Sequence, residues 1–198
     1  MRTAKQITLC EVGPRDGLQS EKVRLTAEQK AELIQDMAGA GFRVIEVGSF
    51  VSPKAVPQMA DTDEVFQKID RSPGVEYRAL IANVRGVDRA AACGCRKVKL
   101  NVSASEAHNL ANLNCTPDQT VAGFAQCVSR AEDQGIGTSG SISMAFGSPW
   151  DREIPLDAVK KIVDAYLKVG ITEISLSDAA GVAYPSQVYE MSLEMRRA

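Results

Sequence analysis

Short apolar runs rich in β-branched residues alternate with longer helical patterns along this chain, and six such strand–helix pairs follow one another. The strands are predicted over residues 7–12, 43–47, 75–81, 97–102, 138–145 and 173–176. The helices are predicted over residues 27–40, 63–69, 84–92, 117–134, 156–169 and 185–197. Strands that are separated by helices pair in parallel through crossover connections, so the alternation predicts an α/β fold.

Capping residues mark the ends of several predicted helices. Thr26, Asp61 and Thr116 are predicted N-caps, because a side-chain oxygen at that position accepts a hydrogen bond from the first turn. Four helices are expected to end in a small-residue stop that contains glycine, which provides a C-cap. These stops are Ala40-Gly41, Cys93-Gly94, Gln134-Gly135 and Val169-Gly170.

Two architectures accommodate repeated strand–helix units: an open doubly wound sheet and a closed (β/α)8 barrel. A doubly wound dinucleotide fold needs Gly-x-Gly-x-x-Gly after its first strand, whereas this strand runs into Gly13-Pro14-Arg15-Asp16-Gly17. Polar residues instead recur at the C-terminal ends of almost all the strands, where barrel enzymes place their active sites. These residues are Arg15, Asp16, Gln19, Glu46, Ser49, Asn83, Asn101, Ser103, Ser143, Ser175 and Asp178. The pattern therefore favours a TIM barrel.

The length of the chain sets how much of such a barrel it can form. Six units of about 33 residues each fill the chain, whereas eight would need roughly 260 residues, and the chain has 198. We interpret residues 1–198 as a single (β/α) barrel domain that covers about the first six βα units and is truncated at its C-terminus.

Charge and apolar patterning exclude several classes of function. The chain has 23 Lys plus Arg and 25 Asp plus Glu without a basic block, so nucleic acid is not an expected partner. It has no apolar run of 18 residues and no secretion-type N-terminus, so we expect neither a membrane span nor export. Its five cysteines are an odd number without Cys-x-x-Cys spacing, which fits reduced thiols and a cytoplasmic location.

Arg15 and Asp16 stand side by side just past the first predicted strand. Arginine supplies a permanent positive charge and five donors for a carboxylate or a developing enolate, and aspartate is a hard oxygen ligand for Mg²⁺ or Mn²⁺. The alternative is a solvated turn, because Gly-Pro and Asp-Gly are common turn dipeptides.

Two further carboxylates lie within or just after predicted strands. Glu46 lies in the apolar run V-I-E-V-G, where burial is costly unless the charge is paired, and Arg15 could be its partner. The alternative is a strand-end glutamate that faces solvent. Asp178, in S-L-S-D-A-A-G, is a candidate for acid–base chemistry or, alternatively, a helix N-cap.

Four other reactive or aromatic residues are expected to be structural. His108 is the only histidine, so no site with two histidine ligands can form from this sequence. Its polar surroundings predict a loop or rim residue. Cys93 and Cys95 have no base nearby in sequence and are expected to pack. Trp150 is expected to pack a loop.

Three runs resemble a known family: E-V-G-P-R-D-G-L-Q-S-E-K at 11–22, V-I-E-V-G-S-F-V-S-P-K-A-V-P-Q-M at 44–59 and I-S-L-S-D-A-A-G at 174–181. They are similar to hydroxymethylglutaryl-CoA lyase, a metal-dependent TIM-barrel lyase, and related segments fall at 103–106 and 144–149. The resemblance implies retro-Claisen cleavage of (S)-3-hydroxy-3-methylglutaryl-CoA to acetyl-CoA and acetoacetate. It thereby implies a role in leucine catabolism and ketone-body formation.

The resemblance also assigns expected roles to individual residues. Catalytic roles fall to Arg15, Glu46 and Asp178; substrate binding to Arg15, Gln19, Ser49 and Ser175; and metal ligation to Asp16. Arg15 is expected to stabilise the enolate, and the cofactor is expected to be Mg²⁺ or Mn²⁺. An acyl-CoA is the expected substrate and a homodimer the expected assembly.

Departures from the family pattern leave alternatives open. The family's remaining metal ligands and its cysteine loop are expected beyond Ala198. Ala179 and the segment Gly147-Ser148-Pro149 replace a threonine and a cysteine-containing loop of the family, so the acyl chain is not settled. The alternatives are a related acyl-CoA lyase or condensing enzyme of the same superfamily, and a catalytically incomplete partial barrel that associates with another chain through its exposed sheet edge.

Overall fold

A computed structural model describes residues 6–197. Its strands are β1 (Cys10–Glu11), β2 (Val44–Ser49), β3 (Glu76–Ile81), β4 (Lys97–Ser103), β5 (Gly137–Ser143) and β6 (Ile174–Leu176). Its α-helices are α1 (Ala27–Gly39), α2 (Thr62–Lys68), α3 (Val84–Ala92), α4 (Glu106–Leu113), α5 (Pro117–Asp133), α6 (Leu156–Lys168) and α7 (Pro185–Met195). A π-helical turn (Gly13–Gly17) and a 3₁₀ turn (Pro57–Met59) complete the described elements. The predicted alternation of six strands with helices is confirmed.

The chain divides into two compact units. The first contains the described residues up to Val98 together with Asp133–Gly137, and the second contains Lys99–Glu132 and the residues from Thr138 onward. The interpretation of residues 1–198 as one barrel domain stays a prediction. No helix within residues 6–197 is long and apolar enough to cross a membrane.

Parallel pairing joins the strands of the first unit. β1 pairs with β2, with Cys10 opposite Val44, and β2 pairs with β3. Five of the six residues of β2 are buried, from Ile45 to Ser49. A central strand of a parallel sheet is covered on both faces, so this continuous burial is expected.

Helix α1 begins with a reciprocal capping box. Thr26 Oγ1 accepts a hydrogen bond from the Gln29 backbone N–H, and the Gln29 side chain accepts one from the Thr26 N–H. Asp61 is the N-cap residue of α2, as predicted, but its carboxylate makes no capping hydrogen bond to the helix. It accepts a hydrogen bond from Lys30 Nζ at 2.6 Å instead, since a buried ammonium needs a counter-charge.

In the second unit, β5 pairs in parallel with β6, with Gly140 opposite Ile174. The buried Tyr166 of α6 crosses behind β5, and its hydroxyl lies 2.9 Å from the carbonyl oxygen of Ser141 and 3.0 Å from that of Leu100. Gly140 permits this approach, because a Cβ there would lie 3.0 Å from the Tyr166 ring. The phenol thus ties α6 to the sheet.

Most of the predicted helix ends are confirmed. Thr116 caps α5, since its Oγ1 accepts from the Gln119 N–H at 3.2 Å. The four glycines of the predicted stops all have positive φ, which is the left-handed conformation of a C-cap.

Two sequence predictions fail locally. The first strand is shorter than predicted, because only Cys10–Glu11 pairs, and Ile7 and Leu9 are 75% and 61% exposed. The predicted polar loop around His108 is helix α4, whose N-cap Ser105 accepts a hydrogen bond from the His108 N–H at 3.1 Å. A short polar helix has weak apolar periodicity, so the pattern did not reveal it.

Candidate active site

The segment after β1 forms a single π-helical turn, Gly13–Gly17. The backbone N–H of Asp16 donates to the Val12 carbonyl at 2.7 Å, and Pro14 occupies the start of the turn, where a helix needs no N–H donor. The Gly13 N–H is bound by Glu11 Oε1 at 2.6 Å. Single π turns occur frequently at functional sites, and this one carries Arg15 and Asp16.

The Arg15 guanidinium contacts two carboxylates. Its Nε donates to Glu46 Oε1, and its Nη1 donates to Asp16 Oδ1 at 2.6 Å. The Arg15 side chain is only 15% exposed. The other three N–H groups have no hydrogen-bond partner among residues 6–197. A cation that is fixed in place and keeps donors unused is suited to bind an anionic group.

Glu46 is fully buried on β2. The predicted pairing with Arg15 is confirmed, and the alternative of a solvent-facing glutamate is wrong. The β2–β3 register shifts just after this residue: Glu46 lies opposite Arg78, but Gly48 lies opposite Ala79. A bulge of this kind re-aims a side chain at the end of a strand.

Thr62 holds the C-terminal end of β2 in place through two hydrogen bonds. Its Oγ1 accepts from the Ser49 N–H at 3.3 Å and donates to the Met59 carbonyl at 2.8 Å. A Cβ at Gly48 would lie 2.6 Å from this Oγ1, so a larger residue would displace one of the two segments. Thr62 is a positioning residue that the sequence analysis missed.

The two predicted substrate-binding residues of the first unit differ in exposure. Ser49 is fully buried, and its hydroxyl has no hydrogen-bond partner among the described residues. Gln19 follows the π-helical turn and is half-buried. A buried hydroxyl without a partner is uncommon in folded proteins, which fits a role in binding a ligand.

A buried ion pair holds the segment that follows Gln19. Lys30 is 3% exposed, and its Nζ donates to both the Asp61 carboxylate and the Gln58 carbonyl at 2.6 Å. The Gln58 side chain in turn donates to the carbonyl of Glu21. The local sequence contains no signal for this connection, because its members are about 30 residues apart.

Asp178 lies in the second unit, directly after β6. Its carboxylate accepts hydrogen bonds from the backbone N–H groups of Ala183 at 2.9 Å and Val182 at 3.0 Å, and these bonds lower the pKa of Asp178 below its ordinary value of 3.8. The N-cap of α7 is Tyr184, so the predicted alternative of a helix cap is wrong. Asp178 is an exposed, ionised carboxylate that orders its own loop.

Ser175 and Asn83 are fixed by backbone groups. The Ser175 hydroxyl donates to the Gly140 carbonyl at 3.3 Å. Asn83 caps α3 by accepting from the Gly86 N–H at 3.1 Å. A polar residue at a strand end is therefore not by itself evidence of a site.

The described residues do not form a metal site. Within residues 6–197, no three side chains of His, Cys, Asp or Glu lie together in a way that could hold a metal ion. Asp16 is exposed, and one of its oxygens already binds Arg15. A divalent cation needs several oxygen ligands, and the donors present do not meet this need.

Cys93 and Cys95 carry protonated thiols. Burial raises the pKa of Cys95 to about 12 and also raises the pKa of Cys93. Both are therefore thiols rather than thiolates at neutral pH, and the thiolate is the reactive form. Cys95 is buried, which confirms its predicted packing role, whereas Cys93 is partly exposed.

The fold is an α/β fold, and an arginine–glutamate pair joins the turn after its first strand to its second strand. The HMGL-like family model matches residues 6–198, and the chain belongs to this family. The comparison agrees with the resemblance that the sequence motifs carry.

Curated relatives and a solved structure extend this result. The chain is 38% identical over 185 residues to hydroxymethylglutaryl-CoA lyase of Pseudomonas mevalonii, covering 93% of this chain and 62% of that protein. It is 40% identical over 182 residues to 3-hydroxy-3-isohexenylglutaryl-CoA/hydroxy-methylglutaryl-CoA lyase of Pseudomonas aeruginosa, covering 92% of this chain and 61% of that protein. An HMG-CoA lyase structure from Acinetobacter baumannii, in complex with coenzyme A and 3-methylmalate, superposes with a TM-score of 0.94 at 38% identity, covering 99% of this chain and 65% of that one.

This structural agreement confirms the predicted fold class, the α/β TIM-barrel fold of HMG-CoA lyases, of which the described residues contain six βα units. The chain spans about three fifths of the length of the curated relatives it matches.

Proposed function

We propose that the protein is a carbon–carbon lyase that cleaves 3-hydroxy-3-methylglutaryl-CoA to acetyl-CoA and acetoacetate. The observation that carries this proposal is the Arg15 guanidinium, which Glu46 and Asp16 fix in place while three of its N–H groups stay available. Support comes from membership of the HMGL-like family and from 38% identity to a hydroxymethylglutaryl-CoA lyase.

The proposed reaction begins with loss of the proton from the 3-hydroxyl group. The O–H electrons form the carbonyl of acetoacetate, the bond between C2 and C3 breaks, and its electron pair becomes the enolate of acetyl-CoA. This enolate then takes a proton on carbon. The free donors of Arg15 stabilise the enolate oxygen, because they are already oriented and need no reorganisation as its charge develops.

The two carboxylates have different proposed roles. Glu46 is buried and bound to Arg15 Nε, so it acts as a positioning residue that fixes the guanidinium. Asp178 has a lowered pKa, so near neutral pH it can accept a proton but has none to donate. Gln19, Ser49 and Ser175 are proposed to contact the acyl-CoA or support its pocket.

We also propose that Asp16 is a ligand of Mg²⁺ or Mn²⁺. Its exposed carboxylate oxygens support this role. The further ligands are not among the described residues, and the family resemblance implies that they follow Ala198.

The remaining proposals concern the cellular location and the oligomeric state of the protein. The five free cysteines support a location in the reducing cytoplasm. The lyase would act there in leucine catabolism and ketone-body formation. A homodimer is proposed, and light scattering coupled to size-exclusion chromatography tests it. The expected result is twice the mass of one chain.

A panel of substrates tests the proposed activity. Full-length protein with Mg²⁺ or Mn²⁺ is incubated with 3-hydroxy-3-methylglutaryl-CoA, and acetyl-CoA and acetoacetate are expected in equal amounts. A longer 3-isohexenylglutaryl-CoA is the second candidate substrate, since a 40%-identical relative is named for both. Acetyl-CoA with an oxoacid tests the condensing alternative. If the protein consumes acetyl-CoA with the oxoacid but cleaves neither acyl-CoA substrate, the lyase proposal is wrong.

A further inference from the structure

We propose that Arg78 is a positioning residue for Arg15, on which it acts through Glu46. This inference rests on the proposed function, because it takes Arg15 as the group that stabilises the enolate. Arg78 lies within β3, belongs to the same compact unit as the other two residues, and is 7% exposed. A charged side chain is rarely buried to this degree unless its charge is balanced.

Arg78 and Glu46 occupy adjacent positions on one face of the sheet. Glu46 is opposite Arg78 in the parallel β2–β3 pair, and neighbouring strands are about 4.8 Å apart. Side chains alternate between the two faces of a strand, so the buried Tyr77 and Ala79 take the face opposite to that of Arg78. The register thus puts a cationic residue next to the buried glutamate that binds Arg15.

A second carboxylate binds Arg78 but is shared with another cation. Arg78 Nε donates to Glu76 Oε1 at 2.7 Å, and Nη2 donates to the same oxygen. Glu76 Oε2 lies 3.5 Å from Lys97 Nζ, and the Glu76 side chain is 36% exposed. A carboxylate that water reaches and that also pairs with a lysine balances the buried guanidinium only in part. We infer that Glu46, on the neighbouring strand, supplies the rest of the balancing charge.

The resulting set of charges alternates in sign from the turn after β1 to the start of β4. We call it the charge row, and its members in order are Asp16, Arg15, Glu46, Arg78, Glu76 and Lys97. The three carboxylates and three cations cancel over the whole row. Interactions between buried charges are weakly screened and extend beyond nearest neighbours. Removal of Arg78 is therefore expected to change the environment of Arg15.

The charge of Arg78 has a defined effect on the proposed reaction. The negative charge of Glu46 orients Arg15, but it also repels the enolate that Arg15 stabilises. Arg78 offsets part of this repulsion, because its positive charge is adjacent to Glu46. The benefit grows as the enolate charge develops, so loss of Arg78 is expected to lower kcat much more than it raises KM.

Kinetics of the full-length protein with Mg²⁺ and 3-hydroxy-3-methylglutaryl-CoA test this role. We expect Arg78→Met to lower kcat about 10-fold, the smaller end of the range for residues that support an active-site group, with KM nearly unchanged. Arg78→Lys keeps the charge and should recover most of the rate. In a Glu46→Gln background, Arg78→Met should lower kcat by less than about twofold, because the residue through which it acts is already changed.

Arg71→Met is the matched control. It makes the same substitution in the same unit, but Arg71 binds a backbone group, since its Nη2 donates to the Cys93 carbonyl at 2.6 Å. Arg71 lies outside the charge row, so its replacement is expected to leave kcat unchanged. Circular dichroism checks that each variant is folded.

A spectroscopic readout does not depend on turnover. The Arg15 Nε–H group, which donates to Glu46, gives a nitrogen–proton NMR resonance that is assigned by its loss in Arg15→Met. We expect Arg78→Met to shift this resonance and Arg71→Met to leave it in place. If Arg78→Met does not fold, the shift is measured in Arg78→Lys, whose displaced charge still moves the resonance if the two residues are coupled.

The outcomes separate this inference from the proposed function. If the wild type cleaves the substrate but Arg78→Met keeps kcat within about twofold, the positioning role is wrong and the lyase proposal stands. An equal loss of kcat in Arg71→Met, or an Arg15 resonance that stays in place in the Arg78 variants, would also overturn the positioning role. If the full-length wild type cleaves no acyl-CoA substrate, both proposals are wrong.

Discussion

Glu46 and Asp178 are carboxylates beside apolar strand residues, since Glu46 lies within β2 and Asp178 follows β6, yet their surroundings differ. Glu46 is fully buried and bound to the side chain of Arg15. Asp178 is exposed and bound by backbone N–H groups of its own loop. Glu46 is thus bound by a side chain 31 residues away in sequence, whereas Asp178 is bound by the backbone of the loop that it begins. Substitutions should separate the two cases.

The largest expected effect is on the Glu46 side of this comparison. Arg15→Met removes from the buried Glu46 carboxylate the cation that binds its Oε1, and loss of one partner of a buried pair costs about 3 kcal/mol or more. Urea unfolding measures the loss. The double variant Arg15→Met/Glu46→Gln should recover part of it, because position 46 then carries no buried charge. If the double variant is as unstable as the sum of both single variants, Arg15 and Glu46 are not coupled.

Gly48→Ala is expected to have the second-largest effect on stability, because the new methyl group would contact Thr62 at the end of β2. Overpacking of this kind costs about 2 kcal/mol, measured as the change in the free energy of unfolding. Gly39→Ala is the matched control, since a Cβ there meets nothing within 4 Å. It should be neutral or slightly stabilising, as alanine favours a helix over glycine. Equal effects at both positions would contradict the role of Thr62.

Asp178→Ala should have a smaller and more local effect. Loss of the carboxylate frees the N–H groups of Val182 and Ala183, so we expect their hydrogen exchange to become several-fold faster while the unfolding midpoint changes little. Asp178→Asn keeps one acceptor oxygen and should restore part of the protection. Unchanged exchange at both amides in the alanine variant would show that the loop is held by something else.

The smallest expected effect is a pH dependence at the same loop. The folded pKa of Asp178 is depressed below 3.8, so its contribution to stability is present above that pH and is lost as the pH falls through the lower folded value. Amide chemical shifts of Val182 and Ala183 should stay constant from pH 7 to about 4 and change only below that. A midpoint above pH 4 would contradict the lowered pKa.

The fold can be predicted from the sequence more fully than the side-chain contacts of the candidate site can. The alternation of apolar and helical patterns locates all six strands, since strand and helix periodicities are local. The pairing of Glu46 with Arg15 is also predictable, because an apolar strand tolerates a carboxylate only if its charge is met. Thr62 and the Lys30–Asp61 ion pair are not predictable, because each joins segments that only the folded chain brings together.

Helix α4 and the π-helical turn were missed for a different reason. Helix α4 has a polar composition, so its apolar periodicity is weak, and its capping residue Ser105 also binds Asp151 from the loop after β5. The π turn at Gly13–Gly17 uses residues that are typical of ordinary turns. Both elements depend on tertiary contacts that override local propensity.

The central claim is that Arg15, fixed by Glu46, stabilises the enolate of a hydroxymethylglutaryl-CoA lyase. The most direct test compares kcat for cleavage of 3-hydroxy-3-methylglutaryl-CoA between the full-length wild type and Arg15→Met. We expect the variant to lose about 10²- to 10³-fold in kcat with KM nearly unchanged, because the arginine acts on charge that develops only in the transition state. A folded variant with kcat within about threefold of the wild type would contradict the claim.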